Sequence, residues 1–540
     1  MHRAVVLVSV SILSLVSTTP VKSFLGQRYA LPPVGPRRFK PAVLAPFNEE
    51  SLVGSGDAVG TLGPRCFQIQ KPRPTDISED CLFLNVFAPK TSLPVSAGGY
   101  GVDSPAAVLL WIHGGGWTSG TGNHYNGTFF AASQGLVVVA INYRLGTLGW
   151  FASRELEAEP GNHGSTGGMN GVLDMITAMR WVQANIHRFG GDPDRVTIAG
   201  ESAGAEAVCM LLVSPLSKNL FLRAIMESGP CLGGSTGWGP HTREAALAAS
   251  AAVAGNRTLA ELRAVEDGYE LLQSSANDNL QYKIEDSVDG YVLPGHMESA
   301  TSASPAFELY AKGKLNSREL LLGGNSFDGL NTYLAIYEPN PITHMLPEFL
   351  YHYQMELLWG ADKTAVEKLY HLSRYDYNTN AAYCQPTGDA GVICPSLEIA
   401  RALAETGGKA FVYYFDYGPV CGDVALTSPF VFFAGSNWAS HASELPWVWG
   451  HSPDCYRNAS EVALTKTMQD LWGSFCRTGR PSSGALHWPP FDVARGGTMV
   501  LDLHPRMVEG HKAADCEALL GINESYWPAI KRTLPSVVFT

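Results

Sequence analysis

Residues Gly200-Glu201-Ser202-Ala203-Gly204 restrict what this chain can fold into more than any other stretch. They follow a β-branched run, Arg195-Val196-Thr197-Ile198-Ala199, and lead into an apolar, Ala-rich segment over residues 205–212 that reads as a helix. A strand, a tight turn and a helix in that order lift a serine hydroxyl above a sheet edge and aim the helix N-terminus at it. The flanking glycines let strand and helix approach closely. Ser202 is therefore the candidate nucleophile. With 56 glycines in the chain, a G-x-S-x-G pattern also arises by chance, so the assignment depends on partners elsewhere.

The segments before and after this turn alternate between strand and helix. Residues 106–112 form an unbroken apolar run that fits a strand buried on both faces, ending at His113-Gly114-Gly115-Gly116-Trp117. Three glycines there give a loop of bare backbone N–H groups able to face a developing oxyanion, the H-G-G-G arrangement described for lipases and esterases. Residues 136–141 read as a second buried strand. Residues 172–186 carry apolar side chains at helical spacing, from Val172 and Met175 through Met179, Trp181, Val182 and Ile186. Residues 222–226 continue as strand and residues 245–254 as helix. Such alternation predicts a mostly parallel sheet covered on both faces.

Two later strands, at residues 319–323 and 409–417, complete the pattern. Ser326-Phe327-Asp328-Gly329 follows the first, and His441 lies in a loop beyond the second. Serine, acid and histidine thus stand in the chain order of the hydrolases. Position alone does not separate Asp328 from Glu444 or Asp416 as the acid.

The N-terminus reads as an address. Met1-His2-Arg3 is a positive start, residues 4–16 are an apolar core too short to span a bilayer comfortably, and Val21-Lys22-Ser23 offers small residues for cleavage. The expectation is a signal peptide over residues 1–23 and a single mature domain over residues 24–540, delivered outside the cell. Four sequons, at Asn126, Asn256, Asn458 and Asn523, fit that route. No second apolar segment of membrane length follows, and Ser536-Val537-Val538-Phe539-Thr540 carries no anchor or retention signal. A net charge of −12, with no basic run longer than Arg37-Arg38, argues against a nucleic-acid partner. Ten cysteines in an oxidising compartment imply disulfides. Cys66 with Cys81, and Cys384 with Cys394, each lie close enough in sequence to close a small loop, whereas Cys209 reads as a buried thiol. None shows the paired C-x-x-C spacing of zinc sites. Residues 29–39, rich in proline, read as an extended surface lead-in.

Several stretches together resemble the type B carboxylesterase and cholinesterase family of α/β-hydrolases. They are Tyr29-Ala30-Leu31-Pro32-Pro33-Val34-Gly35, Ser78-Glu79-Asp80-Cys81-Leu82-Phe83-Leu84-Asn85, residues 114–117, Phe189-Gly190-Gly191-Asp192-Pro193, residues 200–204 and residues 441–450. They stand in the family's order across nearly the whole mature chain. The resemblance implies one α/β-hydrolase domain, a central, mostly parallel twisted sheet with helices on both faces. It implies that small carboxylic esters are the substrates, with no metal or organic cofactor. It places a catalytic triad on Ser202, Asp328 and His441 and oxyanion-binding N–H groups on Gly115, Gly116 and Ala203, and it makes Cys66–Cys81 the family's first disulfide.

Three features depart from the family's pattern. The triad acid is most often Glu, so a loop carrying the shorter Asp328 must approach His441 more closely. Cholinesterases carry a Trp in the first disulfide loop that binds a quaternary ammonium, whereas the only aromatic residue in this loop is Phe67, which favours a carboxylesterase. The expected signal peptide also covers the region where the family has an extra N-terminal hairpin. Glu201 has two readings, as an electrostatic tuner of the site or as a hydrogen-bonded buried carboxylate. A lipase is the nearest rival, but a 66–81 loop rich in Pro and polar residues makes a poor lid. A non-catalytic adhesion protein on the same fold is the other, and retention of Ser202, Asp328, His441 and the glycine loop weighs against it. Pocket walls come from loops such as residues 229–240 and 338–349.

Overall fold

The computed structural model describes residues 19–522 except 55, 70–72, 100, 102–103, 233–239, 278–286, 296–308, 311, 330–346, 419–438 and 451–457. Among the described residues, eleven strands form one sheet: β1 (Val21–Arg28), β2 (Ala58–Val59), β3 (Phe83–Pro89), β4 (Ala106–Ile112), β5 (Val137–Ile141), β6 (Gly191–Glu201), β7 (Arg223–Glu227), β8 (Glu319–Asn325), β9 (Lys409–Phe415), β10 (Thr498–Leu501) and β11 (Arg506–Val508). Their order is β11-β10-β9-β8-β7-β6-β4-β5-β3-β1-β2. The seven from β10 to β5 in that order are parallel, while β11 and β3 run antiparallel at either end of the block.

The unbroken apolar run of β4 follows from this position. Val108, Leu110 and Ile112 pack into one core and Leu109 and Trp111 into another on the opposite face, as period-2 alternation requires. Helices α1 (Asn170–Asn185) and α2 (Ala203–Val213) lie on the first face. Helix α3 (Arg243–Ala254) sits at its periphery, and α4 (Thr379–Gly388) and α5 (Cys394–Glu405) pack with the first two. Helices α6 (Leu445–Trp449) and α7 (Ala459–Thr478) cover the second face, and α8 (Ala513–Ile522) returns to the first. Among the described residues no helix is long and apolar enough to cross a membrane.

Three sequence expectations change here. Strand β1 begins at Val21, where Val21, Lys22 and Ser23 pair with Pro89, Ala88 and Phe87. The Lys22 ammonium reaches the carbonyls of Gly54 and Ala97 at 2.9 and 3.1 Å. A boundary at residue 23 would cut three paired residues from this strand, and one no later than Pro20 leaves it whole. Residues 1–18 lie outside the described chain.

The second change concerns cysteines. Cys66–Cys81 is a disulfide, and so are Cys209–Cys231 and Cys394–Cys516, so Cys209 is bonded rather than the buried thiol expected of it. Cys384 is not bonded to Cys394 but is a buried free thiol, as is Cys476. The reason is helical rise: α4, a π-helical turn over Asp389–Ile393 and α5 run on continuously. Ten residues along such a rod span about 15 Å, far beyond the roughly 7 Å between Cα atoms that a disulfide tolerates. Cys421 and Cys455 lie outside the described residues.

The third is the lead-in at residues 29–39, which is partly buried rather than superficial. Tyr29 donates to the Asn142 carbonyl at 2.7 Å, and the buried Arg38 forms a two-pronged pair with Glu79 at 2.6 and 2.7 Å. Asn126, Asn256 and Asn458 are exposed, and Asn523 lies outside the described residues.

Candidate active site

The residues singled out from sequence gather beyond the carboxyl ends of the parallel strands, where open α/β sheets place their ligands. Ser202 occupies the turn between β6 and α2 with φ 57° and ψ −129°, a conformation that costs a non-glycine residue on the order of 1–3 kcal/mol. Its neighbours explain how the strain is held. A Cβ on Gly204 would lie 2.1 Å from the Ile112 carbonyl oxygen, and one on Gly229 would lie 2.2 Å from that of Ser202. The strained turn is therefore wedged between backbone segments that only glycine admits. The Ser202 amide donates to the Glu227 carbonyl at 2.9 Å.

Of the three acids left open by the sequence, Asp328 is the one on the imidazole. Its Oδ1 accepts from His441 Nδ1 at 2.9 Å, and its Oδ2 accepts from Ser228 Oγ at 3.0 Å and from the Asn325 amide at 2.6 Å. Glu444 instead accepts from Asn325 Nδ2 and Tyr413 Oη, and Asp416 is exposed. The short side chain reaches because its loop is tied to the histidine loop. The Phe327 amide donates to the Ala439 carbonyl at 2.9 Å, Phe327 bridges Ser440, and Asn325 Nδ2 donates to the Ser440 carbonyl at 2.9 Å. Gly324 leaves room for the carboxylate, since a Cβ there would stand 2.4 Å from Asp328 Oδ2.

His441 Nε2 lies 3.1 Å from Glu201 Oε1. Burial alone would lower the His441 pKa, but Glu201 and Asp328 outweigh it and hold it up at about 9. Burial raises Glu201 to about 7 against the attraction of His441. Glu444 is pushed up to about 8 by burial and by the charges of Glu201 and Asp328. Glu227, buried with Trp472 Nε1 donating at 2.8 Å, is held well above the ordinary carboxylate range by its burial. Glu201 is thus a buried carboxylate whose charge acts on the imidazole, and among the described residues its Oε1 has no hydrogen-bond partner.

The glycine loop presses on the Ser202 turn. A Cβ on Gly114 would meet the Glu201 carbonyl oxygen at 2.7 Å and Ser202 Cβ at 2.9 Å. Gly115 and Gly116 follow with φ of 114° and 54°, and Trp117 with 59°. The Trp117 carbonyl accepts from the Gly146 amide at 2.8 Å and from Trp150 Nε1 at 3.2 Å. Ala203 opens α2, so its amide is among the free N–H groups of the helix start. Among the described residues no cluster of three or more His, Cys, Asp or Glu is placed to hold a metal ion.

Sequence reasoning missed Ser228, Asn325 and Glu227. Ser228 has φ 53° just beyond β7, and a serine directly after a buried strand that ends in a carboxylate is the signal that was there to find. Of the pocket-wall loops, residues 233–239 and 338–346 lie outside the described chain.

The carboxylesterase family model matches residues 11–519. Mouse carboxylesterase 1E (Mus musculus) is 30% identical over 524 residues, covering 89% of this chain and 85% of the relative. Human carboxylesterase 3 (Homo sapiens) is 29% identical, covering 96% and 87%, and the fumonisin B1 esterase of Sphingopyxis macrogoltabida is 30% identical, covering 87% and 82%. The solved structure of a PNB esterase superposes with a TM-score of 0.71 at 28% identity, covering 93% of this chain and 96% of its own. The chain belongs to the carboxylesterase family, with the α/β-hydrolase fold and the carboxylic ester hydrolase activity of a serine hydrolase.

Proposed function

We propose that this protein is a secreted esterase that cleaves small carboxylic esters through Ser202, His441 and Asp328. The observation that carries the proposal is the Asp328 Oδ1 to His441 Nδ1 hydrogen bond of 2.9 Å, with His441 Nε2 3.1 Å from Glu201, the residue before a serine held at a strained strand-to-helix turn. Ser202 Oγ attacks the ester carbonyl carbon while His441 Nε2 takes its proton. In the neutral imidazole Asp328 keeps the proton on Nδ1, so that Nε2 carries none and can accept, and with Glu201 it stabilises the imidazolium that results. The carbonyl oxygen gathers negative charge against the amides of Gly115, Gly116 and Ala203. Collapse expels the alcohol, which takes the proton from Nε2, and water then hydrolyses the acyl-serine by the same steps. The signal-like start and the exposed sequons at Asn126, Asn256 and Asn458 support export and glycosylation.

Hydrolysis of p-nitrophenyl acetate, butyrate and palmitate by the secreted protein, with Ser202→Ala as control, tests this reading. Turnover of the short esters should vanish in the control. Preference for palmitate would move the protein to the lipases, and turnover surviving in Ser202→Ala would overturn the nucleophile assignment.

A further inference from the structure

His113 has no part in the mechanism above, yet it touches the loop on which the oxyanion donors are placed. It is 1% exposed. Its ring stacks on Tyr143 with centroids 4.3 Å apart and planes 17° apart, and the Tyr143 hydroxyl donates to the His113 carbonyl at 2.8 Å. Its Nδ1 lies 2.8 Å from the Gly114 carbonyl oxygen. A carbonyl only accepts, so Nδ1 carries the proton in this contact.

The peptide unit joining Gly114 to Gly115 is planar, with its C=O and N–H pointing in opposite directions. A donor that fixes the Gly114 carbonyl therefore also fixes where the Gly115 N–H points. Glycine is otherwise the residue least able to hold such a direction. We infer that His113 is a positioning residue: its Nδ1–H, bonded to the Gly114 carbonyl, aims the Gly115 amide at the oxyanion formed on the substrate of Ser202.

The surroundings are built for that contact. A Cβ on Gly120 would stand 2.5 Å from His113 Nδ1 and 2.3 Å from the Gly114 oxygen, so glycine is needed for the pair to form. Gly120 is itself clamped, because Gln68 receives its amide at 3.2 Å and donates to its carbonyl at 3.0 Å. Gln68 lies two residues past Cys66, inside the loop closed by the Cys66–Cys81 disulfide. The first disulfide loop thus supports the ring that orients the oxyanion loop. Burial pushes His113 down to about 4, outweighing its bond to Gly114, so the ring stays neutral at ordinary pH and brings no competing charge beside the developing oxyanion.

The inference rests on the proposed triad chemistry, and the test separates the two. Asn and Leu have nearly the same shape, and both lose the aromatic stack, but only Asn can place a donor where Nδ1 stands. Active-site-titrated His113→Leu should lose about tenfold to a hundredfold in kcat for p-nitrophenyl butyrate, less than removal of an oxyanion donor, which costs ~10² to 10³. KM should stay within a few-fold. Affinity for a trifluoromethyl ketone that adds to Ser202 should fall by the same factor. His113→Asn should recover most of both losses. Equal defects in the two variants, or a weakened KM with unchanged ketone affinity, would leave His113 a packing residue and overturn the proposal. If neither variant folds, ¹⁵N NMR of the wild-type histidines decides, since a neutral His113 protonated on Nε2 instead of Nδ1 refutes it. Turnover that persists in Ser202→Ala would instead defeat the triad reading, whereas the His113 tautomer would still be decided by the ¹⁵N measurement.

Discussion

Asp328→Asn is the substitution whose outcome the geometry dictates most fully. Two donors face Oδ2: the Asn325 amide at 2.6 Å, which can only donate, and the Ser228 hydroxyl at 3.0 Å. An asparagine at 328 must therefore turn its amide oxygen toward them, because an NH₂ there would oppose the Asn325 N–H. That choice points the NH₂ group at His441 Nδ1. Nδ1 must then accept, which puts the imidazole proton on Nε2, where it cannot take the proton of Ser202. The loss should be that of a wrong tautomer, about 10⁴-fold in kcat, equivalent to about 5.4 kcal/mol of barrier. Because Asn is isosteric with Asp, KM and thermal stability should change little. Steady-state kinetics on p-nitrophenyl butyrate, normalised by active-site titration, give the answer. A variant within tenfold of wild type would refute the reasoning, as would a loss explained by a fall in Tm.

Glu201 holds His441 up, so the acid limb of kcat/KM should move to lower pH in Glu201→Gln, because removing the carboxylate lets the imidazole shed its proton more readily. A pH–rate profile of wild type and variant checks this, and an unmoved or alkaline-shifted limb contradicts it. The Cys394–Cys516 disulfide closes 122 residues, so chain entropy gives it about 5 kcal/mol. Replacing both cysteines with alanine should lower the denaturant midpoint strongly, and a loss under about 1 kcal/mol would show that α8 is held by packing instead.

What the sequence made legible follows from how local each signal is. The turn at Ser202 and the strand at residues 106–112 are readable because glycine spacing and an apolar run record nearby physics: backbones in close approach and a strand covered on both faces. The acid was not separable from its neighbours because what selects it is the parallel bridge between Phe327 and Ser440, more than a hundred residues apart. The Cys384–Cys394 loop failed for a related reason, since counting residues ignores that a continuous helix carries the two thiols apart. The start of strand β1 was assigned to the expected leader because Val21-Lys22-Ser23 offers small residues for cleavage, whereas the strand pairing and the carbonyls of Gly54 and Ala97 around the Lys22 ammonium show only in the fold. Ser228 and Asn325 carry no motif; only the fold brings them to the far side of Asp328.

The proposed chemistry requires Ser202 to be the activated nucleophile. The protein treated with a radiolabelled dialkyl fluorophosphate, digested and mapped by mass spectrometry, should carry one phosphoryl group on Ser202, formed as fluoride leaves. Labelling should be lost in parallel with ester hydrolysis in His441→Ala. Label on another residue, or activity that survives full phosphorylation of Ser202, would contradict it.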